Sequence, residues 1–104
     1  MALLGNPFVG NIARQMTNDE LAQAIRVDIA GELEAIVGYE AHILATSDER
    51  AKKVLRHIAD EEKNHIGELQ QLLYILSPKD AEHIGKGKQT IQKQQETNFQ
   101  QPIE

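Results

Sequence analysis

The sequence predicts an all-α fold, in which an antiparallel hairpin of two long helices is followed by a short third helix. Over two long stretches the apolar residues recur three and four positions apart, which is the period of one buried helix face. No stretch alternates polar and apolar residues as a half-buried strand does. The connection between the two stretches is about three residues long, and a loop that short places neighbouring helices antiparallel.

Two capping motifs mark where the long helices begin. In the first, Thr17 is the cap and Glu20 follows three residues later, so that each side chain can satisfy a free backbone amide. The same spacing recurs in the run Thr46-Ser47-Asp48-Glu49, which predicts that the second helix starts almost where the first one ends. The two helices are expected to end near Leu44 and Leu76.

The chain is expected to form one ordered domain, at residues 17–87. Within it, Ser77-Pro78 predicts the start of the third helix, with proline at the first helical position. That helix is expected to fray near two glycines or to continue weakly beyond them. Residues 1–16 have no clear period and predict a flexible extension, or one that docks elsewhere. Residues 88–104 are polar and rich in glutamine, which predicts a mobile tail or a linker.

The composition excludes several kinds of site and partner. The 104 residues include no cysteine, which removes disulfides, zinc–thiolate sites and iron–sulfur clusters. The net charge is −5 and the basic residues are scattered, so nucleic-acid binding is not indicated. No apolar run approaches the roughly 20 residues that span a bilayer. The first residues lack the basic region of a signal peptide, and no membrane partner is expected.

Each long helix carries polar residues inside its apolar face. If the hairpin folds about residue 46, Glu32 lies fourteen residues before the turn and Glu62 sixteen after it. At 1.5 Å per residue the two lie within roughly one helical turn in height. His65 follows Glu62 by three positions on the same face, so all three are predicted to meet at one level of the core. The two apolar faces consist of Ile25, Ile29, Glu32, Ile36, Tyr39 and Ile43, and of Leu55, Ile58, Glu62, His65, Leu69, Leu72 and Leu76.

The charge of these carboxylates must be neutralised, because an unpaired carboxylate in an apolar face costs several kcal/mol. They could be protonated, paired with lysine or arginine, or bound to a metal. The two faces contain no lysine or arginine, and one imidazole cannot satisfy two acids. A cation bound by all three groups is therefore favoured, and carboxylates with an imidazole suit iron, manganese or zinc.

The ligand pattern is also incomplete in one chain. A glutamate on one helix and Glu-x-x-His on the next is half of the motif that builds a dinuclear site in a four-helix bundle. The chain has this pattern once and has only two long helices. Two copies are therefore predicted to pair about a two-fold axis. The alternative is a buried polar network that fixes the register of a dimer without metal.

The segments ELEAIVGYE and IADEEKNH resemble those of the encapsulated ferritins, short ferritin-like proteins housed inside encapsulin shells. The resemblance covers roughly residues 18–90. It implies a ferritin-like four-helix bundle made by two chains, and a ferroxidase that oxidises Fe(II) to Fe(III) with oxygen at a site for two Fe ions per dimer. It also implies that dimers assemble into a decameric ring and that an encapsulin shell stores the mineral. The chain is accordingly expected to be cytoplasmic, within the lumen of an encapsulin nanocompartment.

The resemblance assigns roles to five residues. Glu32, Glu62 and His65 match the iron ligands of the family. Tyr39 matches a tyrosine beside the centre, where it could hydrogen-bond a ligand or take part in electron transfer; it could equally be a core aromatic residue. Glu34 matches an acid at the metal-entry site, and a solvated surface glutamate is the alternative.

Two glycines depart from the family pattern. Relatives often carry an acid at position 31 and may carry tryptophan at position 38, where this chain has Gly31 and Gly38. Each glycine costs roughly 1 kcal/mol relative to alanine in a helix interior. They are seven residues apart and share one face. That face is expected either to allow close approach of a helix or to leave space near the path of the metal. The final residues, TNFQQPIE, differ from the usual apolar targeting peptide and could begin a linker.

Two other functions remain open at this stage. One is a non-catalytic dimerisation module whose polar core sets the pairing. The other is a peroxide-reducing di-iron protein of the rubrerythrin type. Such enzymes usually take electrons from a cysteine-ligated iron domain, and this chain would need an external donor because it has no cysteine.

Overall fold

The computed structural model describes residues 14–99, and this part of the chain is helical almost throughout. It contains no strand, so the predicted all-α fold is confirmed. The helices are α1 (Asn18–Ala45), α2 (Glu49–Leu76) and α3 (Pro78–Gln94), followed by a five-residue π-helical segment (Gln95–Phe99). Within residues 14–99, none of the helices combines the length and the hydrophobicity of a membrane-spanning segment.

The capping box that starts α1 forms as predicted. The hydroxyl of Thr17 accepts a hydrogen bond from the amide of Glu20 at 3.2 Å. In return, the amide of Thr17 donates to the Glu20 carboxylate at 3.0 Å. Two backbone amides that have no partner inside the helix are thereby satisfied.

The capping spacing predicted Thr46 as the residue that caps α2, and this was wrong. The cap of α2 is Asp48, whose carboxylate accepts from the amides of Arg50 and Ala51 at 2.9 and 3.4 Å. Thr46 instead ends α1, and its hydroxyl accepts from the amide of Asp48 at 3.1 Å. A carboxylate caps well because its negative charge also interacts favourably with the amino-terminal end of the helix dipole.

The third helix is longer than its glycines suggested. It begins with Pro78 at the first position, as predicted, and continues through Gly85 and Gly87 to Gln94. The division into an extension, a domain at residues 17–87 and a tail remains a prediction. Residues 1–13 and 100–104, which belong to the predicted extension and tail, lie outside the described residues.

The core between α1 and α2 is small. Ala22, Ile25 and Leu73 form its centre, and neighbouring leucine and isoleucine side chains pack against them. Among the described residues no polar or charged residue is buried. Seven large apolar side chains remain exposed, from 37% for Leu72 to 89% for Leu44, which is much apolar surface for one short chain. The other exposed members of this set are Leu33, Val37, Val54, Ile75 and Ile91.

The predicted apolar face of α2 is only partly covered by α1. The buried residues of α2 are Ala59 and Leu73, which lie toward one side of the predicted row. Leu72 and His65, on the other side of that row, are exposed in the single hairpin, and their burial by a second hairpin stays a prediction. A hairpin gives each helix one long neighbour, and the far side of each apolar row stays open.

Polar contacts attach α3 to the hairpin. The guanidinium of Arg26 on α1 donates to both carboxylate oxygens of Asp80 on α3, at 2.7 and 3.3 Å. The Ser77 hydroxyl donates to the same carboxylate at 2.7 Å. Further along, the Lys88 amine lies 5.6 Å from the centre of the Tyr74 ring, within the range of a cation–π contact. No residue of α3 is buried, so these contacts are central to fixing its direction.

We expect the attachment of α3 to weaken in acid. The hydrogen bonds from Arg26 and then Ser77 lower the pKa of Asp80 below its usual value of 3.8. A lowered pKa means that the stabilisation is complete above the usual value and is lost as the pH falls from there through the lowered pKa. Hydrogen exchange of the α3 amides should therefore accelerate in Asp80→Asn at neutral pH, and the wild type should approach the variant as the pH falls below 3.8.

Asp60→Asn provides the control for this experiment. Asp60 is 72% exposed and pairs with Lys63 at 3.6 Å on the surface of α2, where an ion pair contributes little. Its exchange profile should match the wild type. Equal protection of α3 in Asp80→Asn and the wild type at neutral pH would contradict the proposed attachment.

Candidate metal centre

Three polar side chains meet at mid-length of the hairpin. Glu32 lies 14 residues after the first residue of α1 and 13 before the last (32 − 18 and 45 − 32). Glu62 lies 13 residues after the first residue of α2 and 14 before the last (62 − 49 and 76 − 62). Because the helices are antiparallel and equally long, the two glutamates face each other at one height, with His65 one turn beyond Glu62. The structure thus brings together the three residues that the sequence placed at one level.

The distances in this group leave room between the side chains. The Nδ1 atom of His65 lies 3.8 Å from Oε2 of Glu32 and 3.9 Å from Oε2 of Glu62. One donor atom from each residue lies within 4.8 Å of the other two. These separations exceed those of hydrogen bonds, which are about 2.7–3.2 Å. The group is half-buried: its side chains are 26%, 18% and 49% exposed for Glu32, Glu62 and His65.

Glu32 and Glu62 have no lysine or arginine partner in the part of the chain that is described. Oε2 of Glu32 is shielded from solvent and has no hydrogen-bond partner. No lysine or arginine among residues 14–99 forms an ion pair with Glu32 or Glu62. Lys63, the residue after Glu62, instead lies 3.5 Å from Glu40 and 3.6 Å from Asp60. A buried acceptor without a partner is costly, so this arrangement calls for a further group.

A metal cation fits these donors. Two ligand atoms that each lie about 2.1 Å from one ion are separated by roughly 3–4 Å, which matches the separations between the imidazole and the two carboxylates. Two carboxylates and one imidazole suit iron, manganese or zinc. One chain offers three side chains, fewer than the donors that such ions commonly take, so the centre as seen in one chain is incomplete.

The structure places the remaining two predicted site residues apart from this group. Tyr39 is half-buried and lies seven residues after Glu32, two turns along the same row of α1. Glu34 is exposed, and it is not one of the three clustered residues. The roles suggested for Tyr39 and Glu34 therefore remain predictions, as does metal ligation by the cluster.

Sequence reasoning missed an open groove of about 460 Å³ near the hairpin turn. Ile43, Leu44 and Ala59 supply its apolar lining, and the Glu40–Lys63 ion pair crosses it. The signal in the sequence was a pair of opposite charges, Glu40 on α1 and Lys63 on α2, which helix geometry places on one side of the folded hairpin. Its remaining lining residues are Arg56 and Asp60.

Comparison with known proteins relates the chain to several ferritin-like proteins. A family model described as "Ubiquinone biosynthesis protein COQ7" matches residues 19–96. The crystal structure of the encapsulated ferritin domain from Pyrococcus furiosus superimposes with a TM-score of 0.74 and 33% sequence identity. That match covers 90% of this chain and 93% of the solved chain.

Three curated relatives have names that refer to encapsulins. The encapsulin nanocompartment cargo protein EncC of Myxococcus xanthus is 46% identical over 78 residues, which are 75% of this chain and 60% of that protein. The ferritin-like–encapsulin shell fusion protein of Pyrococcus furiosus is 37% identical over 82 residues, 79% of this chain and 24% of its own length. The Myxococcus xanthus cargo protein EncB is 37% identical over 68 residues, 65% of this chain and 42% of its own length. The chain thus spans less than two thirds of each.

Neutralising one carboxylate should stabilise the protein when metal is absent. In chelator-treated protein, Glu32→Gln removes a charge that has no cationic partner while keeping the size of the side chain. We expect a higher unfolding temperature, by roughly 4–8 °C for each kcal/mol recovered. Thermal unfolding followed by circular dichroism measures this.

The matched control is Glu82→Gln, which removes the same charge from an exposed position beside Lys86 on α3. It should leave the unfolding temperature within about a degree of the wild type or lower it slightly. A Glu32→Gln protein that melts no higher than the wild type would show that the carboxylate is already neutralised without metal.

Proposed function

The chain belongs to the encapsulated ferritin family, and on that premise we propose that it is a ferroxidase, an enzyme that oxidises Fe(II) to Fe(III). The observation that carries the proposal is the group of Glu32, Glu62 and His65. These side chains converge without hydrogen-bonding one another, and a buried carboxylate oxygen has no partner among the described residues. Iron is the substrate that this donor set would bind.

We propose that the complete site forms between two copies of the chain. One copy supplies two carboxylates and one imidazole, so two copies supply four carboxylates and two imidazoles. Four negative charges balance two Fe(II) ions, which gives two Fe per dimer. Pairing would also cover part of the apolar surface that one hairpin leaves exposed. We also propose that these homodimers assemble into a decameric ring, which the resemblance to the family alone implies.

The ligands favour the oxidised product. Carboxylate oxygens are hard ligands and bind Fe(III) more strongly than Fe(II), so Glu32 and Glu62 make oxidation more favourable at this site. The two Fe(II) ions of a dimer give up one electron each, and dioxygen accepts these two electrons together with two protons, which gives hydrogen peroxide. His65 supplies a nitrogen ligand from a side chain that is half exposed to the side where the second copy would lie. We further propose that Tyr39 hydrogen-bonds a ligand or takes part in electron transfer, and that Glu34 attracts iron on its way in.

We also propose that the chain works with an encapsulin shell. Three curated relatives are named as encapsulin cargo or as a fusion with an encapsulin shell. The resemblance to the family implies that such a chain has no storage cavity of its own. Iron oxidised at the dimer would therefore be stored in the shell, inside a compartment of the cytoplasm.

The first test is anaerobic titration of the full chain with Fe(II), followed by addition of oxygen. We expect one iron per chain and rapid oxidation, read by absorbance. Glu62→Ala and His65→Ala should each lower the oxidation rate at least about tenfold. Substituting a residue that only hydrogen-bonds to a metal ligand commonly lowers metal affinity or activity by that factor, and loss of a ligand itself should cost no less. Glu82→Ala, a charge removed from α3, should oxidise iron as the wild type does. Unchanged oxidation in either ligand variant would refute the assignment of that residue.

The same titration separates the alternatives. A stable dimer that takes up no iron would indicate a non-catalytic dimerisation module with a polar core. Oxidation that is fast with hydrogen peroxide and slow with oxygen would indicate a peroxide-reducing protein of the rubrerythrin type.

Assembly should depend on metal. Without iron, four carboxylates facing one another across the pair repel, so the metal-free protein should be more monomeric. Analytical ultracentrifugation with and without anaerobic Fe(II) measures the difference. The same distribution of sizes in both conditions would argue against a shared site.

A further inference from the structure

The sequence of residues 1–13, which precede the described part of the chain, differs in character from the rest. This stretch, MALLGNPFVGNIA, contains no charged side chain, whereas 26% of the whole chain is charged. Its larger apolar residues are Met1, Leu3, Leu4, Phe8, Val9 and Ile12. Side chains of this kind gain free energy when an apolar surface covers them. The composition therefore favours contact between this segment and an apolar surface.

An ion pair fixes where this segment joins the fold. The guanidinium of Arg14 donates a hydrogen bond to each carboxylate oxygen of Glu20 on α1. Such bidentate pairs are among the stronger and more directional contacts between side chains. The hydrogen bonds from Arg14 and then from the Thr17 amide lower the pKa of Glu20 to about 2, so the carboxylate is charged at neutral pH. The chain therefore enters the fold beside the first turn of α1.

Helix geometry places this entry point on one side of the hairpin. At about 100° per residue, Glu20 lies twelve residues before Glu32 (32 − 20), which is about 120° around α1 from it. The groove and α3 lie on the other side. Lys63 lines the groove and Tyr74 contacts α3, and both fall about 100–120° to that other side of Glu62. The chain therefore enters on the side that faces away from α3.

Two apolar residues near the end of α2 are exposed on the entry side. Ile75 is 69% exposed and Leu72 is 37% exposed. They follow Glu62 by thirteen and ten residues (75 − 62 and 72 − 62), which places them about 140° and 80° around α2, toward the side of Glu20. Because α1 and α2 are antiparallel, the end of α2 and the start of α1 lie at the same end of the hairpin. We call Ile75 and Leu72 the end patch.

We propose that residues 1–13 pack across the end patch of their own chain and join the start of α1 to the end of α2. The segment is long enough for this contact. An extended chain spans about 3.3–3.6 Å per residue, so Ile12 reaches about 7 Å from Arg14 and Phe8 about 20 Å. The axes of packed helices are about 8–10 Å apart, which is within this reach.

The geometry favours the chain's own segment over a second copy as the occupant of the end patch. A copy that completes the ligand cluster approaches at mid-length of the hairpin, on the side of His65. Ile75 lies about 20 Å further along α2 than Glu62 and about 80° around the helix from His65. A segment tethered at Arg14 also acts at a high effective concentration, which a separate molecule does not have.

An introduced thiol tests the contact, because the chain has no cysteine of its own. The full chain carrying Ile75→Cys is treated with chelator and then alkylated with iodoacetamide. Its alkylation should be at least about tenfold slower than in the same chain with Phe8→Ser, Val9→Ser and Ile12→Ser added, since a docked segment must open before the thiol reacts. The helix content by circular dichroism should stay unchanged, because the three serines precede α1.

Val37→Cys is the matched control. Val37 is 68% exposed, close to the 69% of Ile75, and it lies on the groove side of α1. Its thiol should react at the same rate with and without the three serine substitutions.

A disulfide tests the same contact by proximity. With Ile12→Cys and Ile75→Cys in one chain, mild oxidation should give a disulfide within a single chain, read by mass spectrometry and by a non-reducing gel. Ile12→Cys combined with Val37→Cys should give none, because Val37 lies about 28 Å along α1 from its first residue.

The outcomes are distinct. Protection of the thiol at position 75 that is independent of protein concentration and lost with the serines supports the proposal. Equal alkylation rates with and without the serines overturn it. Protection that disappears on dilution, or a disulfide that forms only between two chains, also overturns it, because a second copy would then cover the end patch.

Discussion

The structure depends on one constraint: two carboxylates and an imidazole sit at the middle of an apolar hairpin and do not satisfy one another. At 3.8 and 3.9 Å from the imidazole, Glu32 and Glu62 are too far for hydrogen bonds and close enough to share a cation. Such a group destabilises the hairpin unless something neutralises it. The exposed apolar faces are compatible with neutralisation by a metal that a second chain helps to bind. A hairpin whose apolar faces were fully covered would leave no surface at which that chain could approach the group.

Loop length and helix geometry predicted well where the site lies along the hairpin. They predicted the exposure of the neighbouring side chains less well. A short connection and a rise of 1.5 Å per residue suffice to place Glu32 opposite Glu62, since an antiparallel hairpin has little freedom of register. The exposure of His65 and Leu72 could not be predicted in the same way. Periodicity identifies an apolar row, but the number of helices that cover the row depends on partners outside the chain.

Other features could not be predicted from the sequence. They depend on competition between neighbouring residues or on contacts between residues far apart in the chain. Thr46 and Asp48 are both good caps, and only the structure shows which of the two starts α2. The glycines of α3 weaken a helix without ending it. Arg26 and Asp80 are 54 residues apart, and nothing in either neighbourhood marks them as partners. Their contact attaches α3 to the hairpin through polar groups near one end.

A metal centre built from two identical halves is restricted in how mutation can alter it. In the proposed dimer every substitution appears twice, once on each side of the axis, so the two irons keep equivalent surroundings. A protein that carries both halves in one polypeptide can tune one iron for affinity and the other for release. In the proposed dimer the same three side chains must serve both demands, and chemical asymmetry between the two irons could come only from transient differences between the copies.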